Sequence, residues 1–222
     1  MKTFEDIFAI AAERHGGPEA LEAKLEPPPP ASEVAVIPDD RWLSMMTRSV
    51  FQAGFSWKVI EAKWPGFEEA FEGFDVGRCA MMDDDWFDSL VADKRIVRNP
   101  KKIRTVPVNA VFLSALAKEH GTAAATFANW PSDDFVGLLE LIKTRGSHLG
   151  GTGGQYFLRM MGVDSFILSK DVVARLVAEG IVDKAPTGKG AMRKTQAAFN
   201  DWRAQSGRSL KEVSRVLALS LG

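Results

Sequence analysis

The feature that most constrains this chain is a ten-residue break, Phe51-Gln52-Ala53-Gly54-Phe55-Ser56-Trp57-Lys58-Val59-Ile60, in which one helix ends and another begins. Gly54 can take the positive-φ backbone of a helix C-terminus and Ser56 can cap the helix that follows. Phe55 and Trp57 flank the break, and two aromatics at a chain reversal suit a flat ligand. The alternative is a helix–helix corner with its aromatics buried.

Helical signals run through the rest of the chain. Thr3 caps a helix over 3–15 that Gly16-Gly17 ends, and Pro18 suits the first turn of another over 18–25. Pro27 to Pro30 forces an extended linker. Leu43, Met46 and Val50 recur at helical spacing up to Gly54. Short helices follow over 56–63, 66–72, 75–82 and 83–94, the second starting after Trp64-Pro65. Asp83 to Asp85 crowd the positive end of the last, where carboxylates serve as caps; a metal site would need further ligands. Lys101 to His120 reads as one amphipathic helix through Ile103, Val106, Ala110 and Leu113, with Pro107 able to kink it. Asp133 or Asp134 opens a helix that ends at Gly146. The glycine-rich run Ser147-His148-Leu149-Gly150-Gly151-Thr152-Gly153-Gly154 comes next, and Gln155 to Met161 resumes as helix. A further helix runs through Val172 and Leu176, and Gln196 to Leu221 makes two more, parted at Ser206-Gly207. No stretch shows the alternation of a strand, so the expected class is all-α, two helical lobes with a central cleft.

The 45% hydrophobic content of 222 residues is enough for a core. Cys79, the single cysteine, excludes an internal disulfide framework and a multi-cysteine zinc site, which fits a reducing cytoplasm. No run approaches the roughly 18 apolar residues of a membrane span; a soluble, unexported monomer with no membrane partner is expected. The net charge of −1 hides an asymmetry: residues 1–93 hold 8 Lys/Arg against 19 Asp/Glu, whereas residues 94–222 hold 20 against 10. The later part can thus offer phosphates a basic surface, unless folding intersperses the charges.

Gln52-Ala53-Gly54-Phe55-Ser56-Trp57, then Ile96-Val97-Arg98-Asn99-Pro100-Lys101-Lys102-Ile103-Arg104, Asn109-Ala110, Arg145-Gly146 and Gly151-Thr152 together resemble the signature of the 3-methyladenine DNA glycosylase type I family. That family writes its first block Gln-Ala-Gly-Leu-Ser-Trp and its second Ile-Ile-Arg-Asn-x-x-Lys-Ile. The resemblance covers roughly residues 38 to 170, leaving residues 1–37 as an N-terminal helical extension and linker before a glycosylase-like domain over 38–222. It implies a helix-hairpin-helix element around the glycine run, whose bare N–H groups approach phosphates at Gly151, Gly153 and Gly154, and a partner of double-stranded DNA carrying a damaged base.

The implied chemistry is extrusion of a base, stacking on aromatic faces and cleavage of the glycosidic bond through an oxocarbenium-like state. Trp57 matches the family's pocket tryptophan; Phe55 either wedges into the DNA stack or lines the pocket, and Gln52 and Tyr156 join them as base-binding candidates. Lys101, Lys102 and Arg104 either touch phosphates or form a solvated helix face. Asp164, in Gly162-Val163-Asp164-Ser165, resembles the superfamily's catalytic aspartate setting; the alternative is a helix cap. Gln155 stands where bifunctional members carry a Schiff-base lysine, which implies monofunctional excision. Ser49 stands in the catalytic region where the family has a glutamate that reads the base. The family's zinc ligands are also missing, since the chain has only Cys79, His15, His120 and His148, so no metal and no cofactor is expected.

Overall fold

A computed structural model describes residues 1–221, and these form fifteen α-helices with no strand among them. In chain order they are α1 (Phe4–Arg14), α2 (Pro18–Glu22), α3 (Ala31–Val34), α4 (Asp39–Gln52), α5 (Trp57–Ala70), α6 (Val76–Ala80), α7 (Asp84–Ala92), α8 (Pro100–Ile103), α9 (Thr105–His120), α10 (Ala123–Ala128), α11 (Phe135–Arg145), α12 (Gly151–Met160), α13 (Lys170–Ala178), α14 (Lys189–Ser206) and α15 (Leu210–Leu219). The all-α class is therefore the observed one. No helix is long and apolar enough to cross a membrane among the described residues.

The chain divides into two compact units, one of residues 1–29, 130–139 and 162–222, the other of 30–129 and 140–161. The boundaries thus do not coincide with the single division near residue 37, because the N-terminal helix groups with the C-terminal ones. In the first unit Thr3 caps α1 through a reciprocal capping box with Asp6. Phe4 N–H donates to Gln205, Trp202 Nε1 donates to the Lys2 carbonyl, and His15 Nε2 bonds the Leu219 carbonyl. Phe166 stacks on Phe199 at 4.4 Å between ring centres and meets Phe135 edge-on at 4.9 Å. Arg175 is buried, pairing with Glu179 at 3.2 Å and donating to Ser220 Oγ and carbonyl at the end of α15.

The second unit is built on α4. Leu43, Met46 and Val50, together with Trp42, are buried along one face. Trp42 lies 4.6 Å from Phe127 of α10 and 5.8 Å, edge-on, from Phe157 of α12. Two prolines behave differently from the sequence expectation. Pro65 does not split a helix, for α5 runs through it. The interior proline costs about 3 kcal/mol of helix preference, which is offset by burial of a ring stack: Trp64 on Phe67 at 5.0 Å, Phe67 on Phe71 at 6.2 Å and Phe71 on Phe74 at 5.2 Å. Pro107 does not kink the 101–120 segment, which instead breaks into α8 and α9 at Arg104. Pro107 is the third residue of α9, where a backbone N–H has no intrahelical acceptor to lose.

The three aspartates act as the start of α7, with Asp83 accepting from Trp86 N–H. The segment Glu72-Gly73-Phe74 gave no sequence warning, yet all three residues have positive φ (52°, 69° and 62°). Arg41 holds this turn by donating to the Gly73 carbonyl at 2.8 Å while pairing with Glu68.

Candidate functional site

The turn between α4 and α5 is the corner the sequence described, with Gly54 at φ 78°. Ser56 occupies the N-cap position of α5, but its side chain makes no capping bond. The aromatics beside it are not buried. Phe55 is 40% exposed and Trp57 49% exposed, against 0% for Trp42 and Trp202. The buried-corner alternative therefore does not hold. Tyr156 of α12, 38% exposed, comes to Trp57 edge-on at 6.3 Å, so two residues almost a hundred positions apart form one open aromatic corner.

The charged candidates separate. Lys102 turns inward: its Nζ donates to the Phe51 and Ala53 carbonyls at the end of α4 and sits 4.5 Å from the Phe55 ring centre. Burial lowers its pKa from the usual lysine value. A cation on the last carbonyls of a helix is a C-terminal cap, so Lys102 is neither a solvated face nor a free phosphate contact. Lys101 is exposed. Arg104 is exposed too and lies 3.8 Å from the Phe87 ring centre.

Around the hairpin, each glycine has its own reason. A Cβ on Gly154 would stand 2.2 Å from the Leu149 carbonyl, and one on Gly146 2.6 Å from the Ile142 carbonyl, so these two close the hairpin. Gly151, at φ 65°, and Gly153 face open space. Helix α12 begins at Gly151, one turn earlier than the sequence suggests, which puts the N–H groups of both in its unpaired first turn. His148 completes the turn with φ 59°. Asn109, buried on α9, clamps the hairpin by accepting from Ser147 N–H at 2.7 Å and donating to the Ser147 carbonyl at 3.2 Å. That explains the Asn109-Ala110 motif as a positioning device.

Gln52 is buried and its Nε2 donates to Glu61 Oε1 at 3.0 Å. Arg48 Nη2 pairs with Glu61 Oε2. Ser49 Oγ is buried without a hydrogen-bond partner. Gln155 is buried. Asp164 lies in the other compact unit, where its two oxygens accept from Leu210 N–H at 3.1 Å and Lys211 N–H at 2.9 Å. It therefore holds the start of α15, the capping alternative of the sequence reading. Glu61 was missed by sequence reasoning, although its place four residues after Trp57 on one helix face was available as a signal.

A zinc tie does not fit these residues. Cys79 is buried, donates to the Phe71 carbonyl, and burial pushes its thiol up to about 12, away from the thiolate a metal takes.

The family model for methyladenine glycosylase matches residues 34–135. Among solved structures, the chain is similar to 3-methyladenine DNA glycosylase I from Staphylococcus aureus at 18% identity, covering 71% of this chain and 92% of that one with a TM-score of 0.51. A point variant of 3-methyladenine DNA glycosylase I in complex with 3-methyladenine is also similar, at 18% identity, 69% and 90% coverage and a TM-score of 0.51. At these identities the structural likeness is one of fold, and α11, the glycine turn and α12 follow one another in the helix-hairpin-helix order expected from the sequence. From the end of α3 to the start of α11, the chain thus matches the methyladenine glycosylase family, the one its sequence motifs resemble.

Proposed function

We propose that the protein is a monofunctional DNA glycosylase that hydrolyses the N-glycosidic bond of alkylated purines such as 3-methyladenine. The observation that carries this reading is the open Trp57–Tyr156 corner, two exposed rings in perpendicular contact where a flat base can stack. The first turn of α12, unobstructed at Gly151 and Gly153, supports contact with a phosphate of the same DNA strand. Lys101 and Arg104 are exposed cations that add a salt-sensitive contribution. Asp164 is kept in this reading as the catalytic carboxylate that the sequence resemblance implies: each oxygen carries one backbone hydrogen bond and keeps a second acceptor position. Gln155 leaves no amine for a Schiff base, which favours plain hydrolysis. An alkylated purine that is already cationic is a good leaving group and asks little of the site.

Methylated duplex DNA incubated with the protein and analysed chromatographically for free base tests this reading, and release of a methylated purine is the expected result. A second reading, a lesion-binding protein that has lost excision, is favoured by one observation, the uncharged Ser49. Salt-sensitive binding to the duplex with no released base would select it and overturn the first.

A further inference from the structure

Resting on the reading that a base stacks at Trp57 and Tyr156, we propose that Glu61 is the group that reads the base. Its carboxylate, fixed by Gln52 and Arg48, accepts a hydrogen bond from an amino group or ring N–H of a purine. Glu61 lies four residues beyond Trp57 on α5, so the two side chains rise from one face of the helix with Cβ atoms about 5–6 Å apart. Oε1 takes the Gln52 amide at 3.0 Å and Oε2 takes Arg48. An ionised carboxylate has about four acceptor positions. Two are filled from α4, and the side chain remains 45% exposed. The carboxylate is thus held from behind and open in front.

The surrounding groups assign it this work by what they cannot do. Ser49 carries no charge, and its Oγ is buried. Gln52 is buried, with its amide spent on Glu61. Arg48 is pinned, its guanidinium carbon 5.1 Å from the Trp64 ring centre. Because Arg48 offsets the charge of Glu61, the pair presents a directional acceptor with little net field. Such a site selects a donor edge, such as the exocyclic amine of an adenine-type base, more than it selects a formal positive charge.

The test compares wild type, Glu61→Gln and the double variant Arg48→Met/Glu61→Gln for base release from methylated duplex DNA, alongside duplex affinity and melting temperature. A charge-assisted hydrogen bond to the base predicts that Glu61→Gln loses on the order of 10- to 100-fold in release, with duplex affinity little changed. The double variant leaves no half-buried cation unpaired, so it serves where the single one does not fold, and it remains equally defective. Full release by Glu61→Gln overturns the proposal. Recovery in the double variant does so too, since it confines Glu61 to neutralising Arg48. Should the wild type release nothing, excision itself fails, and free 3-methyladenine titrated into wild type and Glu61→Gln then decides: weaker binding by the variant supports Glu61, while equal binding or none to either overturns it.

Discussion

Adjacent glycines at the start of α12 should respond in opposite directions to the same added methyl group. At Gly154 a Cβ would sit 2.2 Å from the Leu149 carbonyl oxygen and 2.8 Å from Ile142 Cδ1, where real contacts stay beyond 3.0 Å. The carbonyl is backbone and cannot rotate away, so the hairpin must shift. Overpacking of this kind costs about 1–3 kcal/mol. For a domain of this size, 1 kcal/mol moves the melting temperature by about 2–4 °C, so Gly154→Ala should melt about 2–12 °C below wild type. At Gly153 nothing lies within 4 Å of the added Cβ, and alanine gains up to about 1 kcal/mol of helix preference. Gly153→Ala should therefore melt level with wild type or a few degrees above it. Its cost falls on DNA, because the methyl occupies the space a phosphate would use. Loss of one charge-assisted hydrogen bond weakens binding on the order of tenfold or more. Thermal melting followed by circular dichroism and fluorescence anisotropy on a labelled duplex separate the two effects. A Gly154→Ala protein as stable as wild type refutes the packing analysis, and a Gly153→Ala protein with undiminished affinity refutes the phosphate approach.

The two neighbouring lysines should also part company. Lys101→Ala should reduce the salt slope of duplex binding by about 1 with the melting temperature unchanged. Lys102→Met, which strips the cap from α4, should lower melting by about 2–8 °C and leave the slope alone; a changed slope would return Lys102 to the phosphate contacts. Burial by itself would raise Glu68, but bonds from Arg41, Ser44 and Trp64 outweigh it and hold the carboxyl below its usual value. The stability this gives is complete above the unfolded value of about 4.3 and is lost as pH falls through the lower folded one. Glu68→Gln should therefore flatten the decline of melting temperature with falling pH in that window, and an unaltered decline would assign it to other carboxylates. Asp164→Asn should cost about 1–2 kcal/mol by weakening the start of α15. Measured well below its melting point, it should also lose most base release, and full turnover there would leave Asp164 as a cap alone.

How far the sequence reveals this site depends on how local each determinant is. Thr3, Asp83 and Gly54 are legible because a cap or a positive-φ turn depends on a few neighbouring residues. The core stripe of α4 is legible because its period is that of the helix. What escapes is set by partners distant in the chain. Pro65 looks like a breaker until the ring stack from Trp64 to Phe74 is assembled around it. Lys102 reads as one more basic residue in a run, and only the return of the chain to the end of α4 makes it a cap. Glu61 acquires meaning from Arg48 and Gln52. The same division applies to resemblance. A signature transfers residue by residue where it encodes backbone, as at Gly54 and Asn109. It does not transfer where it encodes a functional charge: position 49 is a serine, and the carboxylate nearest Trp57 along α5 stands at 61. Charge at such a site is a property of the space around the base, and any helix face that borders that space can supply it.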